Sequence, residues 1–118
     1  GHAGDGPDAA LQCDLASVQC IKRVVAHYPV AVFSKEWCPY CRKALETLAA
    51  TGVSTPKVFD LTGPDGPSVQ RALAELTGRR TVPNVFVGGK SIGGGNETVA
   101  LHRQGKLMAL LRQAGALS

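Results

Sequence analysis

The stretch VAVFSKEWCPYC, residues 30–41, decides the fold of this chain. Its first four residues are apolar and rich in β-branched side chains, as expected of a short, fully buried strand. Its last four are two cysteines separated by Pro39 and Tyr40. Downstream, apolar residues recur at helical spacing until Gly52, which is typical of a helix end. The cysteine pair therefore begins a helix that leaves a buried strand.

Cys38 stands where the start of a helix stabilises an anion. Only the thiolate form of a cysteine attacks disulfides, and the free N–H groups and the dipole of a helix N-terminus favour that form. Pro39 falls at the first helical position, where its fixed φ is suitable and its missing N–H costs nothing. Cys41 follows one turn later on nearly the same face, so we predict that it resolves disulfides formed at Cys38. We expect Cys41 to be the more buried of the two.

A zinc site is the main alternative for a CPxC pair. Structural zinc requires further ligands at suitable spacing, usually a second close pair. The other candidates are scattered without such a pattern: Cys13, Cys20, His2, His27 and His102. The sequence therefore favours a redox pair, and we expect no metal. We predict that Cys20 is a small core residue rather than a regulatory thiol, that Cys13 is exposed and oxidisable, and that His27 and His102 lie at the surface.

The composition excludes several classes of protein. The chain has 118 residues, of which 44% are hydrophobic, and this fits one globular domain. We assign residues 15–118 to that domain and residues 1–14 to a flexible N-terminal leader or a cloning remnant. The net charge of +4 favours a small acidic ligand, but basic residues occur only in scattered pairs, so we expect no nucleic acid partner. The longest apolar runs are far shorter than the ~20 residues of a membrane helix, so we expect no membrane partner.

The cysteine pattern also bears on location. A close cysteine pair without a signal peptide indicates a reducing compartment. We expect the cytoplasm, or a plastid or other organelle if a transit peptide has been removed.

The other helices and strands follow from periodicity and turn residues. Together with the strand and helix above, they predict an α/β thioredoxin-like fold, in which a mixed four-stranded sheet carries helices on both faces. The predicted elements are a helix over residues 16–27 capped by Ser17, a strand over 57–61, a helix from Ser68 to Gly78, a hairpin of strands 85–87 and 90–92 around Gly88 and Gly89, and a helical tail capped by Asn96 and interrupted near Gly105.

Two further segments bear on a binding site. Pro83 directly precedes a predicted strand, where either a cis peptide bond or an ordinary trans turn is possible. In the cis case the backbone of Val82 faces Cys38 and can pair with an extended peptide. The glycines at 93–95 let a ligand approach the backbone closely, and the helix that follows offers N–H groups to a carboxylate. A flexible loop is the alternative there.

Together, residues 35–41 (KEWCPYC), 81–83 (TVP) and 93–97 (GGGNE) resemble the dithiol, CPYC-type glutaredoxins of class I. The likeness extends from about Ser17 onward, whereas thioredoxins carry Gly-Pro between their cysteines. The resemblance implies a monomeric, glutathione-dependent thiol-disulfide oxidoreductase. Its substrates would be glutathionylated proteins and proteins with disulfides, and glutathione would be its reductant.

The resemblance also implies roles for individual residues. Cys38 would attack and Cys41 would resolve. Lys35 and Gln70, with Arg80 nearby, would meet the glycine carboxylate of glutathione, the Val82 backbone its cysteinyl moiety, and residues 95–97 its γ-glutamyl end. The full predicted glutathione set is Lys35, Tyr40, Gln70, Arg80, Thr81, Val82, Pro83, Gly94, Gly95, Asn96 and Glu97.

Some positions depart from the family pattern or leave alternatives. Many members have Cys, Ser or Asp at the positions of Gly95 and Asn96, and most have Asp at that of Glu97. Trp37 either packs beside the site or faces the substrate. Some members hold a [2Fe-2S] cluster between two protomers, but those usually have Gly or Ser where Pro39 stands, so cluster binding is the lesser expectation.

Overall fold

The sheet has the arrangement predicted from the order of elements. The computed structural model describes residues 11–117, so the first ten residues of the predicted leader lie outside it. Within that range, four strands form one mixed sheet of order β2-β1-β3-β4. β1 runs parallel to β2 and antiparallel to β3, which pairs antiparallel with β4. The strands are β1 (Val30–Ser34), β2 (Lys57–Asp60), β3 (Asn84–Val87) and β4 (Lys90–Gly93).

Five helices accompany the sheet in the described part of the chain. The predicted helical tail is divided in two at Gly105, whose φ of 74° lies in the left-handed region. Between residues 11 and 117 no helix is both long and apolar enough to span a bilayer. The helices are α1 (Val18–His27), α2 (Pro39–Ala50), α3 (Gly66–Thr77), α4 (Gly95–Arg103) and α5 (Lys106–Gln113).

Strand β1 is the centre of the core. All five of its residues are buried, as predicted, and alternate side chains enter different layers because strand side chains alternate between faces. Phe33 lies in the layer shared with α1 and α3, where it stacks on Phe59 with ring centroids 4.9 Å apart. Val32 lies in the opposite layer with residues of α2 and α5. The end of β1, and hence the segment before Cys38, is held from both sides.

The starts of α3 and α4 differ from prediction. We predicted Ser68 as the cap of α3, but the helix begins at Gly66 after Asp65 because Pro67 has the φ of a first helical turn. The Ser68 hydroxyl instead accepts a hydrogen bond from Arg71 Nη2 at 3.1 Å. We predicted Asn96 as the cap of α4, but the cap is Gly94. Its N–H donates to Glu97 Oε1 at 2.7 Å, so the side chain that contacts this cap residue is Glu97 and not Asn96.

The cysteines outside the CPYC motif are bonded to each other. Cys20 is 3% exposed, so its predicted place in the core is confirmed, and Cys13 is exposed. Neither is a free thiol, because the two sulfurs form a disulfide. The sequence predicts a core cysteine and an exposed, oxidisable cysteine but not the bond between them, which depends on how the segment before α1 turns back on the helix. α1 begins at Val18, which places Cys20 in its first turn, within reach of Cys13.

Candidate active site

The CPYC motif lies at the N-terminus of α2, where β1 delivers it. Cys38 is the N-cap residue and Pro39 the first helical residue, as predicted. The Cys41 N–H donates to Cys38 Sγ at 3.2 Å. Cys38 and Cys41 are joined as a disulfide, with Cα atoms 5.2 Å apart. Cys41 is 2% exposed while Cys38 is only half-buried, so the sulfur of Cys38 is the one that an external disulfide can reach.

The turn before Cys38 turns an aromatic ring outward. Trp37 has a φ of 56°, in the left-handed region that costs a non-glycine residue about 1 kcal/mol. Its side chain is 91% exposed, so the alternative in which it packs beside the site is wrong. The Glu36 N–H donates to Thr62 Oγ1 at 2.9 Å, which ties this turn to the segment after β2. The strained turn therefore has a specific anchor and leaves a large apolar ring exposed at a groove that Cys38 also lines.

The segment before β3 faces the same sulfur. The Val82–Pro83 peptide bond is cis, which decides between the two alternatives drawn from the sequence. The Val82 carbonyl oxygen lies 4.0 Å from Cys38 Sγ, and Pro83 is buried beneath it. Polar backbone groups of Val82 thus stand next to the reactive sulfur, where a bound peptide can pair with them.

The start of α4 packs directly on the first turn of α2. Gly95 is buried, and a Cβ built on it would lie 2.7 Å from the Tyr40 carbonyl oxygen, so only glycine fits there without a shift. A Cβ on Gly94 would meet Arg79 Nη1 at 2.8 Å and the Pro83 carbonyl oxygen at 3.3 Å. These close approaches bring the N-terminus of α4, the cis-proline segment and the CPYC turn together.

Arg79 holds this junction, and sequence reasoning assigned it no role. Its Nη2 lies 3.1 Å from Glu97 Oε1, and its Nη1 donates to Thr81 Oγ1 at 3.3 Å. The hydrogen bond from Gly94 N–H, with a smaller contribution from Arg79, keeps the pKa of Glu97 below its ordinary value. The sequence signal was the Arg79-Arg80 pair before Thr81, but a pair alone does not tell which guanidinium turns toward α4.

Comparison with known proteins agrees with this geometry. The family model described as Glutaredoxin matches residues 30–92, more than half of the chain. A glutaredoxin of Solanum lycopersicum is 50% identical over 97 residues, which cover 82% of this chain and 90% of the relative. The chain belongs to the glutaredoxin family. Glutaredoxins are thiol-disulfide oxidoreductases, and the spacing of Cys38 and Cys41 in this glutaredoxin fits a dithiol motif.

Solved glutaredoxin structures have the same fold. Oxidised glutaredoxin 2 from Chlamydomonas reinhardtii superposes with a TM-score of 0.81 at 39% identity, covering 95% of this chain and 99% of that one. A buckwheat glutaredoxin-glutathione complex gives 0.80 at 38% identity, covering 94% of this chain and 98% of that one. The thioredoxin-like fold predicted from the sequence is confirmed.

The predicted glutathione-binding residues of this glutaredoxin fall into separate groups. Lys35 lines a groove of about 410 Å³ together with Cys38 and Trp37. Gln70 and Arg80 line another of about 710 Å³, and Gln70 Nε2 donates to the Arg80 carbonyl oxygen at 3.0 Å. Residues 81–83 and 94–97 meet at the start of α4, where the Val82 carbonyl oxygen lies 4.0 Å from Cys38 Sγ and Gly95 packs against Tyr40.

Tyr40 and Asn96 are joined through Lys43. The Tyr40 side chain is 54% exposed, and Lys43 Nζ lies 5.9 Å from the centre of its ring. The same ammonium group donates to Asn96 Oδ1 at 3.3 Å. Asn96, which does not cap α4, is thus engaged at the junction of α2 and α4.

The lowered pKa of Glu97 predicts how stability responds to acid. A carboxylate with a depressed folded-state pKa stabilises the protein above its unfolded value, and this is lost as the pH falls through the folded value. Glu97→Gln removes the titrating group, so we expect the variant to be the less stable at about pH 7 and the difference to shrink as the pH falls below the ordinary pKa of a glutamate and through the lowered folded-state pKa of Glu97. Urea unfolding of both proteins at a series of pH values measures this. A difference that does not change with pH would contradict the assigned cause.

Proposed function

We propose that this glutaredoxin reduces protein-glutathione mixed disulfides through the sulfur of Cys38. The observation that carries the proposal is the placement of Cys38 Sγ, which lies at a helix N-terminus, accepts a hydrogen bond from Cys41 N–H at 3.2 Å, and faces the Val82 carbonyl. The N–H donor and the helix dipole stabilise the thiolate that attacks and leaves.

The reaction proceeds by two exchanges of disulfide bonds. The Cys38 thiolate attacks the glutathione sulfur of the mixed disulfide, the protein thiolate leaves and takes a proton from water, and Cys38 is left bonded to glutathione. The thiolate of a second glutathione attacks the glutathione sulfur of that intermediate. Glutathione disulfide leaves and the Cys38 thiolate is restored. The sum of the two steps consumes one free glutathione, because the glutathione disulfide forms from that molecule and from the glutathionyl group of the client, which is released as a thiol.

Glutathione lies across the junction between Val82 and the start of α4. Support comes from the buckwheat relative, whose structure contains glutathione. The cysteinyl moiety pairs with the Val82 backbone beside Cys38. The α-carboxylate of the γ-glutamyl end meets the first N–H groups of α4, which have no partners inside the helix. Glu97 already accepts from Gly94 and Arg79, so we propose that it holds this loop in shape rather than binding the γ-glutamyl amine.

Lys35 attracts the glycine carboxylate, because it is a basic residue that lines the same groove as Cys38. We expect Lys35→Gln to raise the KM for glutathione about threefold to tenfold and to change kcat little, since the lost ion pair contributes to binding alone. Lys57→Gln is a matched control. It removes the same charge from the first residue of β2, whereas Lys35 follows the last residue of β1. Steady-state kinetics at varied glutathione concentration measures both, and equal KM values for the two variants would contradict the role of Lys35.

Protein disulfides follow a second route. After Cys38 attacks such a disulfide, the client stays bonded to it until Cys41 attacks Cys38 and releases the client as a dithiol. The Cys38-Cys41 disulfide, which is the form seen here, is then reduced by two glutathione molecules. The rings of Trp37 and Tyr40, which stand before and after Cys38 in the sequence, are exposed and offer an apolar surface to protein clients. We propose that the protein acts as a monomer.

The deciding assay follows turnover of a glutathionylated protein with glutathione, glutathione reductase and NADPH. Steady consumption of NADPH that depends on the protein supports the proposal. Reduction of protein disulfides without any turnover of the glutathione mixed disulfide would overturn it. A brown protein with visible absorption after anaerobic reconstitution with iron and sulfide would instead favour a cluster carrier.

A further inference from the structure

A second disulfide lies outside the active site, at the start of α1. It joins Cys13, in the segment before the helix, to Cys20 in the first helical turn, with Cα atoms 5.7 Å apart. The two sulfurs are in different surroundings, since Cys13 is exposed and Cys20 is 3% exposed among core side chains. The bond therefore ties a surface segment to a core residue.

We propose that Cys13 and Cys20 form a second, reversible redox site, which a low-molecular-weight disulfide such as glutathione disulfide oxidises. Thiol-disulfide exchange needs one accessible sulfur for the first attack and one neighbouring sulfur for the second. Cys13 meets the first condition and Cys20 the second. This division between an accessible and a shielded sulfur matches that of Cys38 and Cys41, but the site uses neither of them.

The electrons of this step balance between the two thiols and the oxidant. The Cys13 thiolate attacks one sulfur of glutathione disulfide, a glutathione thiolate leaves, and Cys13 becomes bonded to glutathione. The Cys20 thiolate then attacks Cys13 Sγ, which forms the Cys13-Cys20 bond and releases the second glutathione. Two cysteine thiols are oxidised by two electrons, one glutathione disulfide is reduced to two glutathiones, and their protons pass to the leaving thiolates.

The bond holds a segment that completes both the helix and the core. It encloses Ser17, whose hydroxyl oxygen accepts from the Cys20 N–H at 3.4 Å and caps α1. It also encloses Leu15 and Val18, which pack against the core layer of α1 and α3. Without the bond, the turn at Asp14 is held by short-range hydrogen bonds at 2.9 Å from Ala16 and Ser17. Reduction should therefore loosen this segment before it affects the sheet.

The same segment borders the loop between β2 and α3. Cys13 and Leu15 line a groove of about 440 Å³ with Leu61 and Gly63 of that loop. Thr62 of the loop accepts the hydrogen bond from Glu36 N–H that anchors the turn before Cys38. A change in the redox state of Cys13 and Cys20 would therefore loosen the side of the molecule that supports the catalytic turn. Cys38 itself is bonded to Cys41 and to neither of these cysteines.

Peptide mapping tests whether the site is reversible. Trypsin should release Cys13 and Cys20 together in the peptide that ends at Lys22, and Cys38 and Cys41 in residues 36–42, so the two pairs are read separately. The full chain is reduced, equilibrated with mixtures of glutathione and glutathione disulfide, quenched in acid and alkylated. We expect the Lys22 peptide to change between doubly alkylated and internally bonded forms as the mixture changes. A peptide that stays alkylated throughout, stops at glutathionylated Cys13, or stays bonded in excess dithiothreitol would overturn the proposal.

Thermal unfolding tests what the bond does. In the double variant Cys38→Ser/Cys41→Ser, Cys13 and Cys20 are the remaining cysteines. Oxidation of this variant should raise its Tm by about 5–10 °C. The matched variant that also carries Cys13→Ser should show no such shift. Equal Tm values for the oxidised and reduced forms would show that the bond does not secure the segment. Because Cys38 is absent from these proteins, the result does not depend on the proposed glutathione chemistry.

Discussion

Cys38→Ser should lower turnover of glutathione mixed disulfides by at least about 10³-fold, because it replaces the attacking thiolate with a hydroxyl that stays protonated. Its fold should be kept. A serine at the N-cap of α2 can accept the same hydrogen bond from Cys41 N–H. Cys41 cannot replace the lost nucleophile, since it is 2% exposed beneath the first turn. Glutathione reductase-coupled kinetics measures the loss, and circular dichroism checks that the variant is folded.

Cys41→Ser is the matched control for this prediction. It should retain much of the turnover of glutathione mixed disulfides, because glutathione itself resolves the intermediate on Cys38. It should lose most of the reduction of protein disulfides, in which the buried thiol must attack Cys38. Full loss in Cys41→Ser together with full activity in Cys38→Ser would reverse the assignment of the two cysteines.

Gly66→Ala should destabilise the fold by about 2–4 kcal/mol. Gly66 is buried at the start of α3, and a Cβ built on it would collide with the carbonyl oxygen of Leu61. Alanine is favoured over glycine in a helix by about 1 kcal/mol, which is too little to offset a collision with backbone. The Leu61 N–H donates to the Ser34 carbonyl oxygen at 2.8 Å. A shift of Leu61 would therefore also disturb the end of β1, just before the catalytic turn.

Gly63→Ala provides the comparison for Gly66→Ala. It adds the same methyl group three residues earlier, in the loop before α3, where a Cβ would meet nothing within 4 Å. We expect its free energy of unfolding to stay within about 0.5 kcal/mol of the parent protein. Urea unfolding of the two variants gives both values. Equal stability of the two variants would mean that the backbone at Leu61 shifts at little cost in free energy and that Gly66 is not needed for close packing.

The positions of strands, helix starts and turns could be predicted from the sequence where local residue preferences agree with the fold. Residues 30–33 read as a buried strand because they are apolar and β-branched, and Pro39 placed the helix start at Cys38; both are observed. The hairpin followed from Gly88 and Gly89, whose φ values of 59° and 84° are positive. The position of each segment along the chain was thus predictable, and with it the position of the reactive sulfur.

Other features depend on contacts between segments that are distant in sequence. Arg79 reaches Glu97 across the junction with α4, and no periodicity predicts which of two adjacent arginines does so. Asn96 does not cap α4 because the helix begins at Gly95, which places Asn96 inside it, while Glu97 accepts from the Gly94 N–H. The Cys13-Cys20 bond depends on how the segment before α1 turns back on the helix. These details could not be read from the chain because they are decided by packing.

The most direct test of the central claim is to trap the intermediate on Cys41→Ser. The variant is mixed with a glutathionylated protein without free glutathione, quenched in acid and digested with trypsin. Cys38 then lies in the peptide of residues 36–42. We predict one glutathionyl group on that peptide and a released client with a free thiol. A client protein bonded to Cys38, or glutathione found only on Cys13 or Cys20, would contradict the account.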